Sequence, residues 1–312
     1  MCDCLVALPA ATGAHTLFAK NSDRPPTEPQ DVEWSAPRRD TALRATYIDV
    51  DPAPVDTIGC LLSRPRWCWG AEHGVNEAGV AIGNEAIYTT LDPRAAPSAL
   101  IGMDLVRLGL ERGDTAEAAT AVIIDLLERY GQGGSGNDAA HAHPEPYWSS
   151  FLVADPVDAY VIETSGREWA TERVDRARAI SNRTTIPAFD AQHRHPNQPV
   201  ERLVDARWQA SNAVLAAPVV GADAIRAHLR SHDSCAEPGW SVCMHVTDVE
   251  ETTASMIAEL RSDGRSHRAW VLVGHPCEEE FVEVEIGDAL ARSGVLPLRW
   301  EARRGPDIRG GG

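Results

Sequence analysis

The chain has 312 residues and a formal charge of −17, which argues against nucleic acid as a partner because its phosphates would be repelled. Forty-three per cent of the residues are apolar, enough for a sizeable core. No stretch reaches the roughly 18 to 20 apolar residues of a membrane span, and no basic segment leading into an apolar run opens the chain, so a cytoplasmic protein with no membrane partner is expected.

The seven cysteines lie at positions 2, 4, 60, 68, 235, 243 and 277 and do not form the dense, even framework of a small secreted domain. Cys2-x-Cys4 lacks the second close pair that a zinc site of the usual spacing contains, so no metal and no other cofactor is expected. Without a long low-complexity linker, residues 1–302 read as one domain and 303–312, ending in three glycines, as a flexible tail.

The chain starts Met1-Cys2. Cysteine is small enough for the preceding methionine to be removed, and a free N-terminal cysteine carries a nucleophile and a base on one residue. The thiol titrates near ~8.5 and the α-amine near ~7.7 to 8.0, so the amine can take the thiol proton near neutral pH. Residues 2–9 and 16–25 carry apolar residues on either side of Gly13 and end at Pro25, the pattern of a hairpin. Such a hairpin returns Lys20 to Arg24 beside Cys2. Asp23 is then placed to hold or orient the amine, and Lys20 or Arg24 to favour the thiolate. On an alternating strand Cys4 faces the same way as Cys2, either inside the pocket or in the core.

Strands are predicted over 45–50, 57–63, 79–88, 148–154, 159–164, 168–174 and 177–182. Helices are predicted over 101–112, ending at Gly113, and over 115–130, from Asp114 to Gly131. Further helices are expected over 199–215, over 222–231 and in the apolar run after Thr252, before strands at 269–273 and 280–286. Residues 131–136 spell G-x-G-x-x-G after a capped helix instead of a strand, which suits a loop able to act as a lid and not a dinucleotide site. His141-x-His143 and His193-x-His195 read as solvent-facing pairs. Trp67 and Trp69 share a face if extended, either in the core or lining an apolar pocket.

Several ordered blocks resemble the secernins and the related cysteine dipeptidases, which are N-terminal-nucleophile amidohydrolases. These blocks are Cys2 with Val6-Ala7-Leu8-Pro9, Lys20-Asn21-Ser22-Asp23-Arg24-Pro25, Ser63-Arg64-Pro65 with Trp69-Gly70-Ala71-Glu72, Gly74-Val75-Asn76-Glu77-Ala78-Gly79-Val80, Asn84-Glu85-Ala86-Ile87 and the stretch Gly102 to Gly113. Looser matches continue to Met256, so the likeness spans nearly the whole chain.

The resemblance implies an α+β fold, a four-layer αββα sandwich of the N-terminal-nucleophile type, and a cysteine amidohydrolase acting on dipeptides or other small amides. By similarity to bile-salt and penicillin amidases, Asn84 and Asn182 resemble the donors that stabilise a tetrahedral oxyanion; a turn role is the alternative for both. Glu85, within its matching block, becomes a candidate substrate contact. The amidases also use a late arginine near the cysteine, and residues 255–256, where it would align, offer none. An acyltransferase would use the same residues, a non-enzymatic secernin-like binding protein would keep the fold, and the family analogy allows a homo-oligomer.

Overall fold

The computed structural model describes residues 1–39, 43–138, 144–233 and 235–300. His141, His143 and the 303–312 tail lie outside the described residues. The chain opens with β1 (Cys2–Ala7), the single turn α1 (Pro9–Thr12) and β2 (Thr16–Arg24). Next come β3 (Gln30–Ser35), β4 (Leu43–Arg44), β5 (Asp49–Val50), β6 (Cys60–Pro65), β7 (His73–Asn76) and β8 (Ala81–Ile87). The helices α2 (Gly102–Arg112) and α3 (Ala116–Tyr130) lead to β9 (Trp148–Ala154), β10 (Ala159–Ser165), β11 (Glu168–Arg173) and β12 (Ala177–Ile180). Four helices follow: α4 (Pro187–His193), α5 (Val200–Leu203), α6 (Asp205–Leu215) and α7 (Ala222–Leu229). The described chain closes with β13 (His245–Val246), β14 (Glu250–Leu260), β15 (Arg268–Val273), β16 (Val282–Glu285), α8 (Asp288–Arg292) and β17 (Leu298–Trp300).

Two antiparallel sheets carry the architecture. One runs β12-β1-β2-β14-β15-β16, with β13 on β14, and the other β11-β10-β9-β8-β7-β6-β3-β17. β1 shows why the sheets stack. Its even residues Cys4 and Val6 join Phe18, Leu61, Val75 and Leu152 in the core between the sheets, whereas Leu5 and Ala7 pack with Leu215, Ile225 and Leu229 under α6 and α7. Across the other sheet, Ile82, Phe151 and Val153 meet Leu105, Leu108 and Ile123 of α2 and α3. Helices therefore cover both outer faces, giving the expected four αββα layers. Each fully buried aliphatic or phenyl side chain in these layers contributes about 1.5–3 kcal/mol.

Gly83 is fixed by this stacking. A Cβ there would stand 2.6 Å from Cys4 Sγ and 2.8 Å from Lys20 Cδ, so its bare backbone makes room for the facing sheet and not for a substrate. At α3 the cap is Thr115, whose hydroxyl accepts from the Ala118 N–H, in place of Asp114. The stretch after Thr252 corrects a predicted helix. It forms the long strand β14, whose residues 251–258 are all buried, since both faces are covered and no alternation remains to mark it as a strand. The predicted strand over 45–50 is likewise mostly loop, with only β4 and β5 at its edges.

Candidate active site

Cys2 begins β1 opposite Ser22 of β2 and is 7% exposed. It lies in the wall of a cavity of about 690 Å³ together with Met1, Asp23, Asn84 and Asn182. Its backbone N–H donates to Asn182 Oδ1 at 2.8 Å, and its carbonyl accepts from Ser181 Oγ at 3.2 Å. Burial pushes the Cys2 thiol up, with Glu85 and Glu72 adding to the rise and the Lys20 ammonium opposing it.

Met1 enters the same cavity. Its ammonium bonds to the Glu250 carboxylate and lies 3.4 Å from the Asp23 carbonyl. Burial pulls that ammonium down, but the negative charge of Glu250, Cys2 and Asp23 outweighs it and lifts the group to about 10.

Asp23, at the end of β2, is 2% exposed. Its Oδ1 accepts from Thr252 Oγ1 of β14 at 2.6 Å, while Oδ2 has no hydrogen-bond partner among the described residues. Burial raises Asp23 to about 7, against the lowering effect of the N-terminal ammonium and of Arg207.

Arg207 was not among the sequence candidates. An arginine does stand beside Cys2, but it comes from α6 and not from the region of Ser255. Its side chain is fully buried. It pairs with Asp3, donates to Asn182 Oδ1 at 3.2 Å and stands 3.9 Å from Asp23 Oδ2. Asp3 reaches it because odd residues of β1 point toward the helices. The missing signal is tertiary: α6 has little apolar periodicity to show which of its faces turns inward.

Lys20 crosses between the sheets. Its Nζ donates to the Asn84 carbonyl at 2.7 Å and to Glu85 Oε2 at 3.0 Å, and both side chains are fully buried. Burial raises Glu85 to about 7 in spite of that ammonium. Glu85 is thus placed between the sheets and does not line the cavity.

Arg24 is in the wall, held by Glu28 at 2.5 Å, by Glu72 at 3.3 Å and by the Gly136 carbonyl at 2.7 Å. These carboxylates neutralise its charge, and the cations acting on Cys2 are Lys20 and the N-terminal ammonium. The contact with Gly136 brings the 131–136 loop to the rim of the cavity.

Trp67 and Trp69 are placed away from the cavity. Trp67 donates to Glu28 at 2.5 Å and packs on Cys68, and Trp69 stacks under Arg107 at 4.3 Å. Tyr88, Tyr147 and Trp240 are the aromatic residues of the wall. His193, the last residue of α4, is buried 3.5 Å from Glu168 and so is not solvent-facing as expected, whereas His195 is half-buried in the cavity wall.

Asn84 and Asn182 differ in availability. The Asn84 side chain lies in the cavity wall with Tyr147, whereas the Asn182 amide donates to the Ala86 carbonyl at 3.0 Å and its oxygen receives Cys2 and Arg207. Asn182 thus holds the nitrogen of Cys2, and Asn84 lines the cavity beside it.

No protein family model matches the chain. Among solved structures, a mutant conjugated bile acid hydrolase from Clostridium perfringens is similar with a TM-score of 0.51 at 9% identity, over 92% of this chain and 97% of that one. A second variant of that hydrolase gives a TM-score of 0.50 at 9% identity, over 91% and 97%. The fold is that of the N-terminal-nucleophile hydrolases. At this identity the N-terminal-nucleophile likeness is one of fold, and residue roles rest on the geometry above. Among the described residues, no helix is long and apolar enough to cross a membrane.

Proposed function

We propose that this chain is a cysteine amidohydrolase of dipeptidase type, in which Cys2, exposed by removal of Met1, attacks the carbonyl of a small peptide. One observation carries the reading: the Cys2 nitrogen is held by Asn182 Oδ1, and the buried Asp23 carboxylate is within electrostatic reach of the N-terminal charge beside it. Once that nitrogen is an α-amine, Asn182 and Asp23 orient it and it takes the thiol proton. Attack forms a tetrahedral oxyanion to which Asn84 donates, the leaving amine receives the proton, and water hydrolyses the thioester. The structurally similar protein is named a conjugated bile acid hydrolase, and hydrolysis is the chemistry proposed here.

The dipeptide preference is supported by Glu250. It holds the Met1 ammonium now, and after Met1 is gone its carboxylate remains in the cavity wall to receive the ammonium of a substrate. Glu250→Gln is expected to raise KM about 10-fold or more for peptides with a free α-amine and to leave N-acylated analogues unchanged, since a charged hydrogen bond is worth about 1.5–3 kcal/mol. Equal effects on both substrate classes would remove the dipeptide preference.

Gly102 tests the oxyanion role. A Cβ at this position would stand 2.5 Å from Asn84 Nδ2 and 2.2 Å from Ser149 Oγ. Gly102→Ala should displace the Asn84 amide and lower kcat by about 10-fold or more with an unchanged far-UV spectrum. Unchanged kcat would take Asn84 out of the mechanism.

The reading as a whole is tested by the intact mass of the purified protein followed by a dipeptide and amide screen. Loss of Met1 with turnover is expected. Full retention of Met1 would leave no α-amine beside the thiol and would favour a binding protein on the same fold.

A further inference from the structure

Outside the cavity wall, three separate segments bring four ligand-bearing side chains to one point. His232 follows α7, Cys243 and His245 lie at the approach to β13 and on it, and Cys277 sits in the turn after β15. One donor atom from each lies within 4.8 Å of all the others. His245 Nε2 is 3.4 Å from Cys243 Sγ and 3.3 Å from Cys277 Sγ. Tetrahedral zinc, with bonds of about 2.3 Å to sulfur and about 2.0–2.1 Å to nitrogen, places its donor atoms roughly 3.3 to 3.8 Å apart. The two short distances fall in or at the edge of that interval.

We propose that His232, Cys243, His245 and Cys277 form a structural zinc site. Two sulfurs and two imidazole nitrogens suit zinc, whereas magnesium and calcium take oxygen. Four protein ligands fill a tetrahedron and leave no position for water or substrate, so the metal takes no part in turnover. On binding, each thiol loses its proton to solvent, two zinc–sulfur bonds form, and the ion with two thiolates and two neutral imidazoles carries no net charge. No oxidant or reductant is needed.

The site would fasten the 232–246 segment and the turn after β15 to each other, beside the catalytic framework. Met244 N–H donates to Thr252 Oγ1 at 2.8 Å and Thr252 N–H to the Met244 carbonyl at 3.0 Å, and Thr252 in turn holds Asp23. Asn21 on β2 donates to the Val242 carbonyl at 2.8 Å. Metal removal should therefore loosen the segment that orients Asp23.

The test is metal analysis of the full chain purified from zinc-supplemented cells without chelator. About one zinc per chain is expected, with cobalt substitution giving a thiolate-to-metal charge-transfer band and strong tetrahedral ligand-field bands. Cys277→Ser, and independently His232→Ala at an exposed position, should each lower the zinc content at least several-fold with an unchanged far-UV spectrum. Three results would overturn the site: no zinc retained after incubation with the ion and desalting, wild-type zinc content in Cys277→Ser, or wild-type zinc content in His232→Ala. None of these bears on whether Cys2 is a nucleophile, which turnover by the Cys2 variants decides.

Discussion

Cys2→Ala is expected to reduce turnover of any amide substrate by about 10⁴-fold or more while leaving the fold in place. Loss of a catalytic nucleophile has effects of that order, and the residual rate comes from binding and the oxyanion site. The substitution is gentle on structure: Cys2 is at the end of β1, its backbone bonds to Asn182 and Ser181 do not use the thiol, and alanine leaves only a small void. Cys2→Ser keeps an attacking atom but a far less acidic one, and should retain at most a trace of activity. Turnover in Cys2→Ala at the wild-type rate would end the amidohydrolase reading. If the wild-type enzyme passes its acyl group to an added amine in preference to water, the same thioester serves acyl transfer.

Arg207→Ala should be the most damaging change to stability, costing about 3–5 kcal/mol and lowering Tm on the order of 10 °C. The guanidinium is fully buried and faces both Asp3 and Asp23, so its removal leaves Asp3 without its cation and Asp23 with the N-terminal ammonium alone in a low-dielectric interior. Asn182 Oδ1 loses one of its two donors as well and keeps the Cys2 N–H. Arg207→Lys supplies the charge without the planar fork that serves several acceptors at once, so it should recover part of the stability and less of the activity. A Tm within about 2 °C of wild type for Arg207→Ala would mean that the clamp contributes little.

How much of this was legible in the sequence depends on how local each feature is. The opening hairpin could be read because a strand, a turn and a strand follow each other, and that register sets Ser22 beside Cys2 and Lys20 beside Cys4. Asp23 follows from the same short-range order, whereas Asn84 comes only from the family resemblance. β14 could not be read, because a strand covered on both faces has an apolar run that a buried helix shares. Trp67 and Trp69 were judged by spacing, and spacing does not say which face of the loop meets the cavity. Arg207 and the His232, Cys243, His245 and Cys277 cluster depend on segments that meet only after the sheets have formed. Separations such as the 34 residues from Cys243 to Cys277 leave no local pattern to find.

The position of β1 has a practical consequence for anyone handling the protein. Its first residue is pinned inside a sheet, between β2 and β12, and anything attached ahead of it must leave through the cavity. An affinity tag or fusion partner joined at that end would occlude the pocket and cap the amine in one stroke. On the proposed mechanism a protein prepared that way would be inert, and a failed substrate screen on it would say nothing about the untagged chain.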